Sequence, residues 1–243
     1  MSGHSKWSTI KRQKETKDQR RGKVFSKLGK AISIAAKDGG DPATNFRLRL
    51  MVERAKQANM PKENIARAIQ KGSGGLGDEK WKEVVYEGYG PEGVAVIAET
   101  VTDNKNRTTA EIINIFERGG GNLAAPGAVS FQFKKSGLIV VEKEKDVDNQ
   151  LLKLIDLGVD DVEEATDAVE IYTQPEKLNE TKEKIKDAGF RVSEAELVMQ
   201  PKVVVEIKEK KKAAKIIKLM KWLEDHDDVQ KVYANFDISE GVF

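Results

Sequence analysis

The stretch Ser73-Gly74-Gly75-Leu76-Gly77-Asp78 divides the chain, because the hydrophobic period changes across it. Before it, apolar residues recur every three or four positions, as on one face of a helix. After it come short apolar runs bounded by turn residues, as in strands. A glycine-rich, polar segment of this kind is a linker by composition. The chain is therefore expected to be α+β and multidomain. A basic helical domain with an N-terminal arm spans 1–78, and mixed α/β structure follows it.

The charge divides at the same place. Residues 1–72 carry 18 Lys and Arg against 6 Asp and Glu, a net of +12. Residues 73–243 carry 24 against 34, a net of −10, so the overall +2 conceals a basic head on an acidic body. That asymmetry points to a polyanion as the partner of the head. The chain has no Cys, which excludes disulfides, a thiol nucleophile and thiolate metal sites. No apolar run reaches membrane-span length, and no apolar core follows the basic start as a secretory signal requires. A cytoplasmic protein without a membrane partner is expected.

Residues 2–22 have Trp7 and Ile10 as their large apolar side chains and cannot bury a core of their own. An arm results, whose cations suit phosphates. Trp7 either stacks on an unpaired base or pins the arm onto the helices behind it. The spacing of Phe25, Leu28, Ile32 and Ala35 predicts a helix over 24–37, with Lys23, Lys27, Lys30 and Lys37 as a solvent-facing stripe opposite the core. A second helix is expected to open at Asp41-Pro42 as N-cap and first-turn proline, and a third at Asn59-Met60-Pro61. Phe46 and Leu50 lie together on the far side of the second helix, a pair expected to meet the arm or another domain. The result is a compact three-helix bundle.

Beyond the linker, 83–88 and 94–101 read as a hairpin around Tyr89-Gly90-Pro91-Glu92-Gly93. A helix follows, with Thr108 and Glu111 as its capping box, and 129–133 is the next strand. Residues 138–199 run strand, helix, strand, strand, helix, strand, the βαββαβ order of a ferredoxin-like module. The flanking segments supply two further βαβ units, which joined would form a second βαββαβ module. The expected organisation is two nested ferredoxin-like modules. A discontinuous α/β domain spans 79–133 and 202–243, and 134–201 is inserted into it between polar turns.

The expected nucleic-acid contacts are Lys6, Trp7, Lys11, Arg12, Lys14, Arg20, Arg21, Lys23, Lys27, Lys30, Arg47, Arg54, Arg67 and Lys71. Asn104, Asn106 and Arg107, in a polar loop after a strand, read either as ligand contacts or as turn and N-cap chemistry. Gly119-Gly120-Gly121 follows a helix, so it reads as a helix stop and not as a phosphate cradle. The helix at 209–225 carries a lysine-rich outer face, which reads by default as solvated and alternatively as a second basic contact. His226 before Asp227-Asp228 reads as cap electrostatics. With two His, no Cys and no defensible nucleophile, base or metal set, no enzyme, catalytic residue, metal or cofactor is expected.

Several words are longer than such spacings. Gly3-His4-Ser5-Lys6-Trp7, Arg21-Gly22-Lys23-Val24-Phe25-Ser26-Lys27-Leu28 and Ala58-Asn59-Met60-Pro61-Lys62-Glu63-Asn64-Ile65 lie in the head. Tyr86-Glu87-Gly88-Tyr89-Gly90-Pro91, Thr102-Asp103-Asn104-Lys105-Asn106-Arg107-Thr108 and Gly120-Gly121-Asn122-Leu123 lie in the body. Together they closely resemble the YebC/PmpR family, from Gly3 to Val232-Tyr233-Ala234-Asn235. The resemblance implies a three-domain shape and a label as DNA-binding transcriptional regulator. Relatives, including the mitochondrial translational activator of cytochrome oxidase subunit one, are tied to ribosomes and difficult elongation. Gln13 and Glu15 interrupt the basic arm relative to the family pattern.

Three functions follow as expectations. One is a ribosome-associated translation factor gripping ribosomal RNA through the head. Another is a DNA-binding transcriptional regulator. The last is a non-catalytic scaffold whose acidic body binds a basic protein. Sequence-reading repressors are commonly dimers on paired half-sites. This chain has no heptad run or other dimer segment, so a monomer is expected. An acidic body would also be repelled by a long duplex. Both features favour the RNA reading.

Overall fold

The computed structural model describes residues 19–74, 81–239 and 242, with side chains from Gly22 onward. The head is three helices: α1 (Gln19–Ala35), α2 (Phe46–Gln57) and α3 (Lys62–Gly72). Leu28, Ile32 and Ala35 of α1 close on Leu48, Val52 and Ala55 of α2 and on Ile65 and Ala68 of α3. The helical spacing made this bundle legible. Gly72 lets α3 end against α1: a Cβ there would sit 2.0 Å from the carbonyl oxygen of Ser33. The hydroxyl of Ser33 donates to the Ala68 carbonyl at the same crossing.

The second helix does not open at Asp41-Pro42. Those residues form a turn, in which the Asp41 carboxylate accepts the Ala43 N–H. Asn45 is the cap, its side-chain oxygen accepting the Leu48 N–H at 3.0 Å. Its amide donates to the carbonyls of Ala35 and Gly39, so one side chain ties the end of α1 to the start of α2.

The body holds two four-stranded sheets. The inserted one comprises β4 (Phe133–Glu142), β5 (Asp161–Glu164), β6 (Ala168–Thr173) and β7 (Val192–Pro201), with helices α5 (Val147–Asp156) and α6 (Leu178–Asp187). Its order is β5-β6-β4-β7 and every neighbouring pair is antiparallel, the ferredoxin-like arrangement. The core between sheet and helices is Ile139, Val141, Leu154, Val169, Ile171, Leu178 and Ile185. The ends of this module are not polar turns. β4 and β7 stay paired from Val141 down to Phe133 opposite Pro201, so Lys134 and Gln200 face each other within a ladder.

The outer sheet holds β1 (Lys82–Tyr89), β2 (Ala95–Thr102), β3 (Asn122–Ala124) and β9 (Val229–Ala234), in the order β3-β1-β2-β9. Helices α4 (Lys105–Arg118) and α7 (Lys210–Asp225) cover one face, where Ile112, Phe116, Ile216, Leu219 and Leu223 meet Val96, Ala98 and Val232. This differs from the second expected βαββαβ module in two strands. The place beside β2 belongs to β1, its hairpin partner, across the short loop closed by Gly90 N–H to Val94 O. Closing that loop costs little chain entropy, whereas bringing in a strand from beyond residue 200 costs more. The displaced segment, β8 (Val205–Ile207), pairs in parallel with β10 (Phe236–Ile238) as a separate ribbon.

The expected strand over 129–133 is also absent. The backbone N–H groups of Gly127, Val129 and Ser130 all donate to the Glu87 carboxylate, so this loop wraps a side chain instead of joining a ladder. Burial pushes the Glu87 carboxyl up, but these three donors outweigh it and hold it below its ordinary range. The glycine run after α4 is the helix stop it was read to be: Gly119 caps, Gly120 is left-handed at φ 79, and Gly121 passes close to the Tyr89 carbonyl.

The other face of the outer sheet packs on the inserted module, through Ala95, Ile97 and Tyr233 against Tyr172 and Val198. The head joins from the side. Leu50 of α2 is buried in the inserted module's core, with Phe46 against the same cluster, so this pair meets another domain as expected.

Candidate nucleic-acid interface

The helix α1 has a one-signed stripe because Lys23, Lys27, Lys30 and Lys37 fall opposite its core face. In the folded chain Lys23 and Lys37 are exposed as expected, whereas Lys27 and Lys30 are half-buried, which corrects the expectation for those two. Lys23, Lys27 and Lys30 lie against the C-terminal end of α7. Lys27 Nζ donates to the Glu224 carbonyl at 2.6 Å and Lys23 Nζ to the Asp225 carbonyl at 3.3 Å. Lys30 Nζ donates to the Asp227 carbonyl and, at 2.8 Å, to the Asp228 carboxylate. Lys37 Nζ reaches the Trp81 carbonyl. The cause lies in α7, whose last turn has no basic residue of its own. The final carbonyls of a helix lack intrahelical donors and carry partial negative charge. The lysines of the facing helix supply both donors and countercharge.

Asp228 is the centre of this junction. Its side chain is 4 % exposed, and it accepts from Lys30, from Arg107 Nη2 at 2.8 Å and from Thr108 Oγ1 at 2.7 Å. Burial alone raises the Asp228 carboxyl. The hydrogen bonds from Lys30, Thr108 and Arg107 outweigh it and hold the group well below the ordinary carboxylate range. With its proton directed at Asp228, the Thr108 hydroxyl accepts from Thr102 Oγ1 at 2.7 Å, and Thr102 in turn accepts the Asn104 N–H. The Asp228 N–H donates to His226 Nδ1, which leaves His226 Nε2 to carry its hydrogen toward Glu111 at 2.8 Å. His226 therefore orders the turn after α7 and bridges to α4.

The polar loop before α4 is thus accounted for in large part. Asn104 caps the helix, its side-chain oxygen accepting the Arg107 N–H, so the cap lies four residues before the expected Thr108 cap. Arg107 is paired with Asp103 and Asp228. Asn106 stays exposed on the first turn.

The other cations of the head divide in two. Arg47 pairs with Glu83 of β1, and Arg54 pairs with Glu194 and Glu196 of β7, with Arg54 to Glu196 at 2.7 Å. Lys182 of α6, 6 % exposed, bonds Glu53 on the same helix as Arg54. These pairs join head to body. Arg67 is exposed and Lys71 half-buried on α3. Arg20 and Arg21 stand on the first turn of α1, and Lys6, Trp7, Lys11, Arg12 and Lys14 lie outside the described residues. Sequence reasoning missed Asp228 as an organiser. Its partners lie 120 and 198 positions away, so no local spacing could have pointed to it.

Among the described residues, no cluster of three His, Asp or Glu is arranged to hold a metal ion. None of the described helices is long and apolar enough to cross a membrane.

Comparison with known proteins places this arrangement. Residues 5–75 match the TACO1/YebC protein N-terminal domain, and residues 81–236 match the TACO1/YebC second and third domain. A probable transcriptional regulatory protein of Dictyoglomus turgidum is 50% identical over 245 residues, covering 100% of this chain and 98% of the relative. One from Dictyoglomus thermophilum is 51% identical with the same coverage. Among solved structures, a conserved hypothetical protein from Aquifex aeolicus is similar with a TM-score of 0.86 at 46% identity, covering 93% of this chain and 94% of that one.

Proposed function

This chain belongs to the TACO1/YebC family, and from that premise we propose that it is a nucleic-acid-binding regulator of gene expression that acts on the ribosome. It grips ribosomal RNA through the basic head and works in the cytoplasm as a monomer. It acts as a regulatory protein and not as an enzyme; its Dictyoglomus relatives are named probable transcriptional regulatory proteins. The observation that carries the reading is the charge split, a net of +12 in residues 1–72 against −10 in the remainder. A polyanion gains most from such a head, because each neutralised phosphate releases counterions.

The proposed contacts are Lys6, Trp7, Lys11, Arg12 and Lys14 of the arm, Arg20, Arg21 and Lys23 where the arm enters α1, and Arg67 and Lys71 on α3. Lys27, Lys30, Arg47 and Arg54 are engaged within the protein and hold the head on the body. A second reading, a DNA-binding transcriptional regulator using the same head, is favoured by the names of the Dictyoglomus relatives.

Sedimentation separates the two. After nuclease removal of DNA, the protein from lysate should travel with ribosomes. A variant with Lys6, Lys11, Arg12 and Lys14 replaced by Gln should stay in the supernatant. Loss of the wild type from the ribosomal fraction after DNA removal, together with sequence-selective duplex binding, would sink the translation reading.

A further inference from the structure

The helix α7 carries the other large accumulation of positive charge. Its inward face, Ala213, Ile216, Leu219, Met220 and Leu223, is fully buried in the outer module's core. The outward arc holds Lys210, Lys211, Lys215, Lys218 and Lys221, all exposed. These lysines behave unlike the α1 stripe: none has a carboxylate partner among the described residues. The exception on the helix is Lys212, which turns aside to Glu92 and Glu209. Toward the C-terminal end, Trp222 is half-buried, with Lys218 Nζ and the Arg118 guanidinium of α4 each 4.7 Å from its ring centroid. Such stacking holds long side chains in place that would otherwise sweep through solvent.

We infer that the outer face of α7, extended by Arg118, is a second phosphate-binding surface, which continues the track of the RNA strand held by the head. The inference rests on the RNA reading proposed above. Continuity supports it. The C-terminal end of α7 is where Lys23 and Lys27 dock, so the arc leads toward the opening turns of α1, with Asp225 and Asp227 exposed at the junction and Lys23 beside Asp227. The unpaired state of the lysines supports it too. One-signed charges held on one face repel one another, and that cost is recovered when a polyanion covers them. A membrane surface is the poorer partner. A basic helix that binds bilayers inserts an apolar face, and that of α7 is occupied by the sheet.

The test uses the full chain, a 20-nucleotide oligouridylate and vesicles of phosphatidylserine with phosphatidylcholine. Affinity for the RNA is measured at several salt concentrations for the wild type and for Lys211→Gln, Lys215→Gln, Lys218→Gln and Lys221→Gln combined. Circular dichroism checks that the fold is kept. The slope of log K against log salt should shrink by about 0.7 for each phosphate left without its lysine, up to about 3 for all four. The four-Gln arm variant, run beside it, separates the two claims. An arm variant that loses binding beside an α7 variant with unchanged slope and affinity overturns this inference and leaves the head reading standing. A wild type that does not bind the RNA overturns both. Vesicle binding that disappears in the α7 variant while RNA affinity is unchanged overturns it in favour of a lipid surface.

Discussion

Asp228 shows what one carboxylate does when donors from two helices, Lys30 on α1 and Arg107 and Thr108 on α4, converge on it. Breaking a buried pair by removing one partner typically costs about 3–5 kcal/mol, because the other charge is left unmatched. Asp228→Asn keeps the shape and removes the charge, so it should destabilise the protein by about 3 kcal/mol in urea unfolding at pH 7. Lys30, 14 % exposed in its side chain, is the charge left behind. The pH dependence has a definite sign. The folded Asp228 is held below the unfolded value of about 3.9. Its contribution is therefore complete above that value and fades as pH falls through the folded pKa. The stability difference between wild type and variant should be constant from pH 7 to 5 and shrink below about pH 4. A difference that grows on acidification would show that the carboxylate is not held by these donors.

At the scale of elements, α2 is the piece with two jobs. Leu48, Val52 and Ala55 serve the bundle, while Leu50 enters the inserted module's core and Arg54 and Glu53 pair with charges on β7 and α6. A helix whose opposite faces belong to different cores couples them. Leu50→Ala should cost about 2–4 kcal/mol, the range for truncating a buried leucine. Hydrogen exchange should rise in both the bundle and the inserted module. Exchange that rises in the bundle alone would mean that Leu50 serves one core only. The two helices α1 and α7 are coupled differently, by lysines meeting terminal carbonyls, which adds polar bonding and little apolar burial.

For the whole molecule, these junctions make one cooperative body out of parts with separate cores. The wild type should unfold in a single calorimetric transition with equal calorimetric and van't Hoff enthalpies. The double variant Asp228→Asn with Leu50→Ala weakens the head's attachment on both sides and should split the transition, the small bundle melting first. A single transition in the double variant would place the coupling elsewhere.

The periodicities alone were enough for the bundle, its core residues, the inserted ferredoxin-like module and the helix stop at Gly119-Gly120-Gly121. Each rests on neighbours a few positions apart, so local spacing carries the information. The family words likewise sit in continuous runs. The hairpin of β1 and β2 was legible as well. Only the tertiary structure decided that β8 leaves their sheet, where Val129 goes, and what the α1 lysines face. A hairpin competes with a distant strand through loop entropy, which a list of strands in order does not rank. A loop folds onto Glu87 because three backbone donors find one carboxylate. A lysine stripe looks the same in sequence whether it meets phosphates, water or the carbonyl end of a helix about two hundred residues away. The choice between them is made by which surfaces the packed cores bring together.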